Sequence, residues 1–564
     1  MDKVWTFPTL DEKSISSLSK ETGLSDLIVS ILLNRGIENL EQAKLFFNPE
    51  EEHFHDPFLL TDMSKAVEII QRHIEQDNHI LIYGDYDVDG TTATSIIYLT
   101  LRQMGARITY YIPVRSEGYG LSAGGIESAN QVGVKLIITC DCGITAHSEI
   151  ELAKSYGIDV IVTDHHEVVD QHPDALAVIN PKRHDSTYPY RNLSGAGVAL
   201  KLAQALKKNQ NPDNWYSREL YDLAALGTAA DIVPMTGENR VIVSLGLPEI
   251  HKAKRIGLRA LLKSSGFRKQ RMTVNDIVFL FGPRINAVGR LGEAREAVEL
   301  FISNDMEQAT KLAKKFERLN SERRVIDQKT YEEAEQQLLD RYNPDQLFGA
   351  VLYGDKWHQG VIGIVASRIT EKYYRPSVMI SLDDDVGRGS GRSIPGVNLH
   401  EALTECSDLL LGFGGHEQAG GLTIEKSKIQ DFVDRFDDVI ASQLSEDVMT
   451  PKITVEGVIK FKDIDKKLLE IVERLEPYGP GNKHPIFVSY GIESAYKPNI
   501  VGENHLKMKV KQGGVVWDAI GFNMAEDLTR VLNPPEEGLK IAYVIEENSW
   551  NGNTSIQLNL KDIQ

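Results

Sequence analysis

Apolar residues along the chain follow a helical period first and a strand period afterwards. In "SDLIVSILLNRGI" (25–37) and "SKAVEIIQRHIEQ" (64–76) they recur three or four positions apart after a serine that can cap a helix. From residue 79 the pattern changes to apolar runs of four to seven residues, such as "HILIYGD" and "KLIITCD", with helical segments between them. This alternation predicts a helical N-terminal extension over 1–75 and a parallel-sheet α/β domain over 76–304.

The rest of the chain divides into three further segments. Residues 305–342 contain neither glycine nor proline and predict one long connecting helix, and residues 343–449 resume the α/β alternation. From about residue 450 the pattern is all-β, with a hairpin turn at "WNGN" (550–553). A small closed barrel of the OB type over 450–564 fits five predicted strands, which are "TVEGVI", "HLKMKVKQ", "VVWDAIGFN", "LKIAYVIEE" and "SIQLNLKDI".

Composition excludes several classes of protein. The 564 residues exceed what one hydrophobic core organises, since domains average about 100–200 residues. The N-terminus lacks a signal-peptide pattern, and no apolar run approaches the roughly 18 residues of a membrane span, so we expect a cytoplasmic protein without membrane contact. With three cysteines no disulfide framework forms, and the C-x-C pair Cys140 and Cys142 is more typical of buried thiols than of a zinc or redox site.

The net charge of −19 argues against wide contact with nucleic acid, but basic residues are concentrated in two places. Residues 251–275 carry eight lysines or arginines and no acid. In "LKMKVK" the strand period places Lys507, Lys509 and Lys511 on one face. Each is either a solvated surface or a surface that follows a phosphate backbone.

Three carboxylates follow the first apolar run of the α/β domain. Asp85, Asp87 and Asp89 alternate in "GDYDVDG", so that a divalent cation could hold them together. The spacing also fits the start of an EF-hand loop, but the twelfth position is Ile96 and the preceding segment is too short for an entering helix. We therefore expect a metal site of another kind.

Acidic and imidazole side chains follow other runs as well. Asp141 ends the third run, Asp164, His165 and His166 end the fourth, and Asp231 follows the small-residue run of "LGTAAD". Because parallel strands end at one edge of a sheet, we expect these groups to converge there. The oxygen and nitrogen donors suit Mn²⁺ or Mg²⁺, and they exceed what one octahedral ion takes, so we expect two ions.

Glycine-rich segments with basic side chains predict an anion site in the second α/β domain. The segments "VGRGSGRS" (386–393) and "GFGGHEQAGG" (412–421) read as turns whose free N–H groups cradle an anion beside Arg388, Arg392 and His416. A third segment, "FGPRINAVGRLG" (281–292), places Arg284, Asn286 and Arg290 among turn-forming glycines.

Four motifs in this order carry a family likeness. "GDYDVDG", "CDCGIT", "VTDHHE" and "GTAADIVP" resemble the motifs of the DHH phosphoesterase superfamily, and the two glycine-rich segments resemble its associated C-terminal domain. Together with "PVRSEGYGLS", the long connector and the terminal barrel, they resemble the branch of single-strand-specific 5′→3′ DNA exonucleases. The likeness runs from about residue 18 to the C-terminus.

The resemblance implies two Mn²⁺ or Mg²⁺ ions that generate the attacking hydroxide, with Asp164 orienting its neighbours. It implies that the metals are held by Asp87, Asp89, Asp141, His165 and Asp231, with Asp85 and His166 close by. We predict that these five residues are also catalytic, that His166 is catalytic too, and that Asp85 is a further metal ligand. As a hypothesis, a 5′-phosphate and DNA-binding set comprises Arg115, Arg284, Asn286, Arg290, Ser390, Arg392 and His416, with Lys507, Lys509 and Lys511 on the barrel.

The function expected from this resemblance is degradation of single-stranded DNA to nucleoside 5′-monophosphates in DNA repair and recombination. The expected partners are single-stranded DNA, a single-strand-binding protein and a helicase, and the expected state is a monomer. One alternative is a DHH phosphodiesterase for short oligonucleotides or cyclic dinucleotides, which would not need the barrel. Another is a non-catalytic DHH-fold binding protein, which should have lost metal ligands, whereas all are present here.

Overall fold

The computed structural model describes residues 3–118, 120–343, 346–550 and 553–564. The N-terminal extension consists mostly of helices, as expected, but it begins with a strand. Asp11 and Asn39 cap the first and third helices by accepting hydrogen bonds from backbone N–H groups of the first turn. The elements up to residue 75 are β1 (Val4–Thr6), α1 (Glu12–Thr22), α2 (Asp26–Leu33), α3 (Leu40–Phe47) and α4 (Met63–Glu75).

The first α/β domain contains a five-stranded sheet in the order β3-β2-β4-β5-β6, and every pairing is parallel. All residues of β2 and β4 are buried, because helices cover both faces, and this confirms the parallel sheet predicted from continuous apolar runs. Its elements are β2 (Ile80–Gly84), α5 (Val88–Gln103), β3 (Ile108–Tyr111), α6 (Ala123–Gln131), β4 (Leu136–Cys140), α7 (His147–Ser155), β5 (Asp159–Thr163) and β6 (Ala177–Ile179).

Helices complete this domain and correct one prediction. The segment 281–292, expected to contain glycine turns, is a helix that follows a π-helical turn at Ile277–Phe281. Gly289 serves close packing there, because a Cβ at this position would lie 2.6 Å from the carbonyl oxygen of Tyr86. These helices are α8 (Gly195–Gln210), α9 (Tyr221–Ala230), α10 (Gly237–Lys252), α11 (Ile256–Ser265), α12 (Val274–Asp276), α13 (Gly282–Leu291) and α14 (Arg295–Ile302).

The expected long connector is α15 (Met306–Arg341), a single helix of 36 residues. Asp305 caps it, and its buried residues, among them Phe316 and Leu338, pack against the domains at its two ends. Among the described residues, no helix combines the length and the apolar composition needed to cross a bilayer.

The second α/β domain has the sheet order β10-β11-β9-β8-β7, and it corrects the glycine turn predicted at 386–393, whereas the one predicted at 412–421 is reduced to a hairpin turn at residues 416–418. Residues 386–392 form a strand, and residues 410–425 form a β-hairpin. In the first strand the glycines face the core, where a Cβ at Gly389 would lie 2.9 Å from Leu422. The elements are β7 (Ala350–Asp355), α16 (Gln359–Tyr373), β8 (Ser377–Asp383), β9 (Val386–Arg392), α17 (Leu399–Glu405), β10 (Leu410–Gly415), β11 (Ala419–Glu425), α18 (Ile429–Gln443) and α19 (Glu446–Met449).

The C-terminal unit is the expected five-stranded barrel, closed in the order β14-β18-β19-β17-β16 by pairing of β16 with β14. One predicted strand is wrong: "TVEGVI" contributes only the short β12 and β13, while β14 was missed because Gly491, at φ +65°, interrupts its alternation. The hairpin turn at 550–553 includes residues 551 and 552, which lie outside the described residues. The elements are β12 (Lys452–Thr454), β13 (Gly457–Val458), α20 (Lys466–Arg474), β14 (Phe487–Ser494), β15 (Asn499–Val501), β16 (His505–Gln512), β17 (Val515–Gly521), α21 (Leu528–Leu532), β18 (Leu539–Trp550) and β19 (Asn553–Ile563).

The N-terminal extension is divided between two units rather than standing alone. Strand β1 pairs in parallel with β12, and Ile28, Ile31 and Leu32 of α2 enter the same hydrophobic core as the barrel residue Phe487. Helix α4 packs instead into the core of the first α/β domain. The segments that carry β1, α2 and α3 are therefore part of the C-terminal unit in space, which their helical period could not reveal.

Candidate metal centre and neighbouring basic cluster

The first carboxylates of the site lie where β2 ends and α5 begins. Asp85 directly follows β2, Asp87 is the N-cap of α5 and accepts a hydrogen bond from Gly90 N (3.0 Å), and Asp89 lies in the first helical turn. Gly90 permits the tight turn, because a Cβ there would lie 2.6 Å from the carbonyl oxygen of Asp85. The strand-to-helix turn thus gathers three carboxylates.

The N-terminus of α8 holds one of these carboxylates. The two oxygens of Asp89 accept hydrogen bonds from Gly195 N (2.6 Å) and Ala196 N (2.9 Å). Asp141, which follows β4 with a left-handed φ of +63°, lies so close to the same helix that a Cβ at Gly195 would be 2.6 Å from its side chain. The positive end of the α8 dipole therefore faces the carboxylates.

Asp164 orients the two histidines. It is buried, and its carboxylate accepts hydrogen bonds from Ile144 N (2.9 Å), His165 N (2.7 Å) and the ring Nδ1 of His166 (2.7 Å). Burial alone would raise the pKa of Asp164, but the hydrogen bond and charge of His166 lower it to about 2. Asp164 is thus fully occupied by protein donors and positions the ring of His166, as expected.

His165 lies at the centre of the cluster. Its Nε2 is 3.1 Å from Asp141 Oδ1, 3.6 Å from Asp231 Oδ2 and 3.9 Å from Asp89 Oδ2. The donor atoms form three compact groups, within each of which all atoms lie within 4.8 Å of one another: Asp85, Asp87 and Asp141; Asp89, His165 and Asp231; Asp141, His165 and His166. The first two groups share no member, so the cluster offers two separate three-ligand sets.

The donor set fits divalent cations. Burial, followed by the charge of neighbouring aspartates, raises the pKa of Asp85, Asp141 and Asp231, and raises that of Asp89 to about 7. Among the described residues, Asp85 Oδ1 and Asp231 Oδ2 are buried without a hydrogen-bond donor. Burial also lowers the pKa of His165 to about 3, which keeps the imidazole neutral as a metal ligand requires. Bound cations would relieve the mutual repulsion of these four aspartates.

Asp231 reaches the centre from a helix, which corrects the expectation of a strand end. It is the C-cap residue of α9, and its N–H donates to Gly227 O (3.0 Å). A Cβ at Gly227 would lie 2.3 Å from Thr92 Oγ1, so the small residues of "LGTAAD" let α9 approach α5 closely. Helix packing, rather than sheet topology, brings this carboxylate to the others.

A basic cluster begins beside the metal centre. Arg115 stacks its guanidinium 4.3 Å from the ring centroid of Tyr86, the residue between Asp85 and Asp87, and its Nε donates to Gly289 O (3.2 Å). Arg115, which the sequence predicted as part of the 5′-phosphate set, therefore has its charge at the border of the acidic centre.

Two further arginines extend the cluster to the second α/β domain. Arg290 of α13 donates to Gly360 O (2.5 Å), and burial together with the charges of Arg115, Arg323 and Arg392 lowers its pKa to about 10. Within the described part of the chain, Arg115, Arg290 and Arg392 form no ion pair with a carboxylate. Such crowding of cations is costly unless an anion joins them.

Strand β9 and helix α16 complete the basic cluster. Because the glycines of β9 face the core, Ser390 and Arg392 lie on its other face, where Arg392 Nη1 donates to Ser390 Oγ (3.3 Å). A Cβ at Gly363 of α16 would lie 3.0 Å from Ser390 Oγ and 3.2 Å from Arg392 Nη2. His358 caps α16, and Arg290 donates to Gly360 O in the first turn of this helix, so its N-terminus lies beside the cluster.

Of the three other predicted site residues, Arg284 is bound to another partner, and among the described residues no hydrogen bond or ion pair joins Asn286 or His416 to this cluster. Arg284 is buried, donating its Nε to Glu317 (2.6 Å) and its Nη1 to Leu280 O (2.6 Å), as a structural ion pair. Asn286 is half-buried on α13, and His416 is exposed at the β10–β11 hairpin, where its Nδ1 accepts from Gln418 N (3.3 Å).

The basic segments predicted from sequence are largely neutralised. On β16 Lys507 and Lys509 are exposed with the expected alternation, but Lys509 lies 3.5 Å from Asp518, and Lys511 lies 3.6 Å from Glu493. In the segment 251–275, five of the eight basic residues pair with acids: Lys252, Lys254, Arg255, Lys269 and Arg271. The charge available for phosphate is smaller than the sequence indicates.

Sequence reasoning missed two elements of the site. The N-terminus of α8, in "LSGAGVAL", binds Asp89, and the N-terminus of α16, in "WHQGVIGIV", contributes His358 and the close approach of Gly363. In both, a capping residue is followed by glycines that bring the helix end close to charged side chains, which is the signal that could have identified them.

Three family models match the chain: the DHH family N-terminal domain over residues 79–228, the DHHA1 domain over 346–442 and the RecJ OB domain over 455–562. The single-stranded-DNA-specific exonuclease RecJ of Bacillus subtilis is 37% identical over 562 residues, which are 99% of this chain and 70% of that protein.

Two solved structures are similar over 100% of the chain. One is RecJ of Thermus thermophilus in complex with Mn²⁺, with a TM-score of 0.85, 28% identity and 79% of that chain covered. The other is the complex with Mg²⁺ from the same organism, with a TM-score of 0.78, 26% identity and 78% covered.

Proposed function

The chain belongs to the RecJ family of single-stranded-DNA-specific exonucleases, and from this membership we propose that it degrades single-stranded DNA in the 5′→3′ direction. The observation that carries the proposal is the adjacency of two complementary clusters. A buried acidic centre needs cations, and the basic cluster next to it needs an anion. A DNA strand end held on two metal ions supplies both.

Six residues would hold two Mn²⁺ or Mg²⁺ ions: Asp85, Asp87, Asp89, Asp141, His165 and Asp231. When bound, such ions lower the pKa of an attacking water and neutralise the charge that develops on the phosphate and the leaving oxygen. The chain's own contribution is positional. The N–H groups of α8 fix Asp89, and Asp164 fixes the ring of His166 beside the donor set.

Direction follows from recognition of the strand end. Arg115, Arg290, Ser390 and Arg392 would bind a terminal 5′-phosphate, which carries more charge and one more free oxygen than an internal phosphodiester. Tyr86 links this pocket to Asp85 and Asp87, so that the first phosphodiester after the bound phosphate would lie over the metals. Arg284 is not part of the proposed pocket, because its guanidinium donates a hydrogen bond to Glu317 instead.

The products would be nucleoside 5′-monophosphates, released one at a time from the bound end. We further propose a role in DNA repair and recombination, in which the protein acts as a monomer with a single-strand-binding protein and a helicase. No observation favours the alternatives: the donor set of a catalytic centre is present, which a non-catalytic binding protein would not need, and the barrel exceeds what a short-oligonucleotide phosphodiesterase requires.

The test compares Arg392→Ala with wild type on strands that end in 5′-phosphate or 5′-hydroxyl. The variant should lose most of its preference for phosphate, because a charge-assisted hydrogen bond contributes about 1.5–3 kcal/mol, or roughly 10-fold to 100-fold. Arg435→Ala is the matched control, since Arg435 is exposed in the same domain and pairs with Asp408 (2.9 Å). An unchanged preference in Arg392→Ala would remove this residue from the pocket.

A further inference from the structure

The loop that carries Asp231 is in direct contact with the C-terminal unit. We call residues 231–236 the ligand loop and residues 474–482 the bracing turn. Met235 N donates to Pro480 O (2.7 Å) across this contact. A Cβ at Gly479 would lie 3.1 Å from the Cβ of Met235, and one at Gly481 would lie 3.0 Å from Thr236 Cγ2. The turn therefore packs against the loop without intervening space.

Arg240, in the first turn of α10 directly after the loop, anchors the bracing turn. Its side chain is 3% exposed, and its guanidinium donates to Leu475 O (2.9 Å), Glu476 O (2.8 Å) and Phe46 O (3.0 Å). Helix α20 ends at Arg474, so this cation satisfies carbonyl groups at the negative end of a helix. Burial lowers the pKa of Arg240 to about 9, which leaves it charged at neutral pH.

The same arginine joins the N-terminal helices to the contact. The guanidinium lies 3.7 Å from the ring centroid of Phe46 at the end of α3. Arg35, from the segment after α2, donates to Asn482 Oδ1 (2.7 Å) and Glu456 (2.9 Å), and Asn482 in turn donates to Leu475 O (2.8 Å). The bracing turn is thus fixed by Arg240 and by the pair of Arg35 and Asn482, in addition to its contact with the ligand loop.

Ile232 shows that the ligand loop is held under constraint. This β-branched residue adopts a left-handed φ of +61° directly after Asp231, a conformation that its side chain disfavours. Packing does not compensate for it, because the side chain is 63% exposed. Such a conformation persists where both ends of the segment are fixed, here by Asp231 N to Gly227 O (3.0 Å) and Met235 N to Pro480 O (2.7 Å).

We propose that the bracing turn positions the metal ligand Asp231 through the ligand loop, and that Arg240 is the positioning residue. The C-terminal unit is then a structural support of the metal centre as well as a surface for DNA. This inference rests on the proposed function, because it requires Asp231 to hold a metal ion.

The first test measures Mn²⁺ affinity of the full-length protein by calorimetric titration, with electron paramagnetic resonance of free Mn²⁺ as a second readout. Arg240→Met removes the donors but keeps an unbranched side chain, and it should weaken Mn²⁺ binding roughly 10-fold, as loss of a residue that orients a ligand does. Gly479→Ala, which inserts a methyl group against Met235, should weaken it in the same direction without removing a buried charge.

The matched control is Arg375→Met in the second α/β domain. Arg375 is also buried and donates to backbone carbonyls, including Leu347 O (2.6 Å), so its loss should lower stability but leave Mn²⁺ affinity unchanged. Wild-type Mn²⁺ affinity in folded Gly479→Ala and Arg240→Met would overturn the proposal. Asp231→Asn tests separately whether Asp231 is a metal ligand at all. If this variant binds Mn²⁺ as wild type does, the ligand assignment is wrong, and the proposed positioning by the bracing turn is wrong with it.

The second test isolates the backbone strain at Ile232 in the Arg240→Met background. Ile232→Gly and Ile232→Ala both remove the exposed side chain, but only glycine adopts the left-handed conformation without strain. If the brace holds a strained loop, Ile232→Gly should restore Mn²⁺ affinity at least about 3-fold more than Ile232→Ala does, because glycine populates the required conformation readily. Equal effects of the two substitutions would contradict the role given to the strained backbone.

Discussion

The metal centre and the basic cluster are neighbours that are built in opposite ways. In the metal centre, buried carboxylates repel one another and their pKa values are raised. In the basic cluster, guanidinium groups crowd together, and the pKa of Arg290 falls to about 10. Each cluster concentrates charge of one sign, and on the proposal above each is completed by a ligand of the opposite sign: cations in the metal centre and a phosphate in the basic cluster.

The two clusters also differ in how the chain positions them. Main-chain features fix the acidic side chains, since Asp87 caps α5, Asp89 accepts from the N-terminus of α8, and Asp231 ends α9. The basic cluster takes side chains from segments of two domains, including α13 and β9. The metal centre takes its candidate ligands from one domain, whereas the basic cluster combines side chains of two domains, which α15 connects and the hydrogen bond from Arg290 to Gly360 O joins directly.

The largest expected effect comes from removing a ligand of the metal centre. Asp141→Ala and His165→Ala should each lower the rate of DNA cleavage by more than about 10³-fold, equivalent to about 4 kcal/mol, because metal binding and charge neutralisation fail together. Steady-state cleavage of single-stranded DNA with Mn²⁺ measures this. Asp174→Ala, which removes an exposed acid of the same domain, should cleave as wild type does. Near-wild-type turnover in either ligand variant would refute the metal assignment.

Breaking the basic cluster should affect recognition of the strand end but not metal binding. Arg115→Gln should reduce the preference for a 5′-phosphate by roughly 10-fold, because one charge-assisted contact is lost. Its Mn²⁺ affinity should match that of wild type, since Arg115 is not among the metal donors. Cleavage assays on phosphorylated and unphosphorylated strands, combined with Mn²⁺ titration, measure both. A parallel loss of Mn²⁺ affinity would show that the two clusters are not separable.

Arg284 sharpens the comparison because it is an arginine of the same helix as Arg290 with a different partner. Arg284→Gln leaves Glu317 without its cation, which for a fully buried pair lowers the free energy of unfolding by about 3–5 kcal/mol. Because Glu317 is partly exposed, we expect a smaller loss than this. The preference for 5′-phosphate should remain. Denaturant unfolding and the end-preference assay measure the two quantities, and loss of the preference in folded protein would return Arg284 to the pocket.

The smallest expected effect concerns the barrel. The triple substitution of Lys507, Lys509 and Lys511 by glutamine should weaken binding of long single strands. The dependence of the logarithm of the binding constant on the logarithm of the salt concentration should decrease by the equivalent of fewer than three phosphate contacts, because two of the lysines pair with acids. Fluorescence anisotropy at several salt concentrations measures this. Point substitutions are preferable to a 1–449 truncation, which would also remove the core partners of α2 and the bracing turn. An unchanged slope would remove these lysines from the DNA path.

Much of the fold could be predicted because the local pattern is explicit. Continuous apolar runs predicted the parallel sheet, and the edge rule for such sheets placed Asp85, Asp141 and His165 together. Strand β9 was not predicted, because closely spaced glycines usually indicate turns. Here the glycines instead make room for Ile380 and Leu422 of the neighbouring strands, which the local sequence does not show.

The rest of the site depends on partners distant in sequence. Asp231 needs the close packing of α9 on α5, and Arg284 is removed from the pocket by Glu317, a residue of the next long helix. The N-terminal strand β1 pairs with β12, which lies about 450 residues later in the sequence. Local periodicity contains no information on such pairings, so a single sequence could identify these residues as charged or apolar but not assign their roles.

Whether the acidic centre and the basic cluster act together is tested most directly with a single strand labelled on its 5′-phosphate, with Mn²⁺ present. If the acidic centre and the basic cluster act as one site, the label should appear as a mononucleotide from the earliest times, and chelation of the metal should stop its release. Retention of the label on long products would show that cleavage does not begin at the 5′ end, and release of labelled mononucleotide without a divalent cation would show that the acidic centre does not act through metal ions.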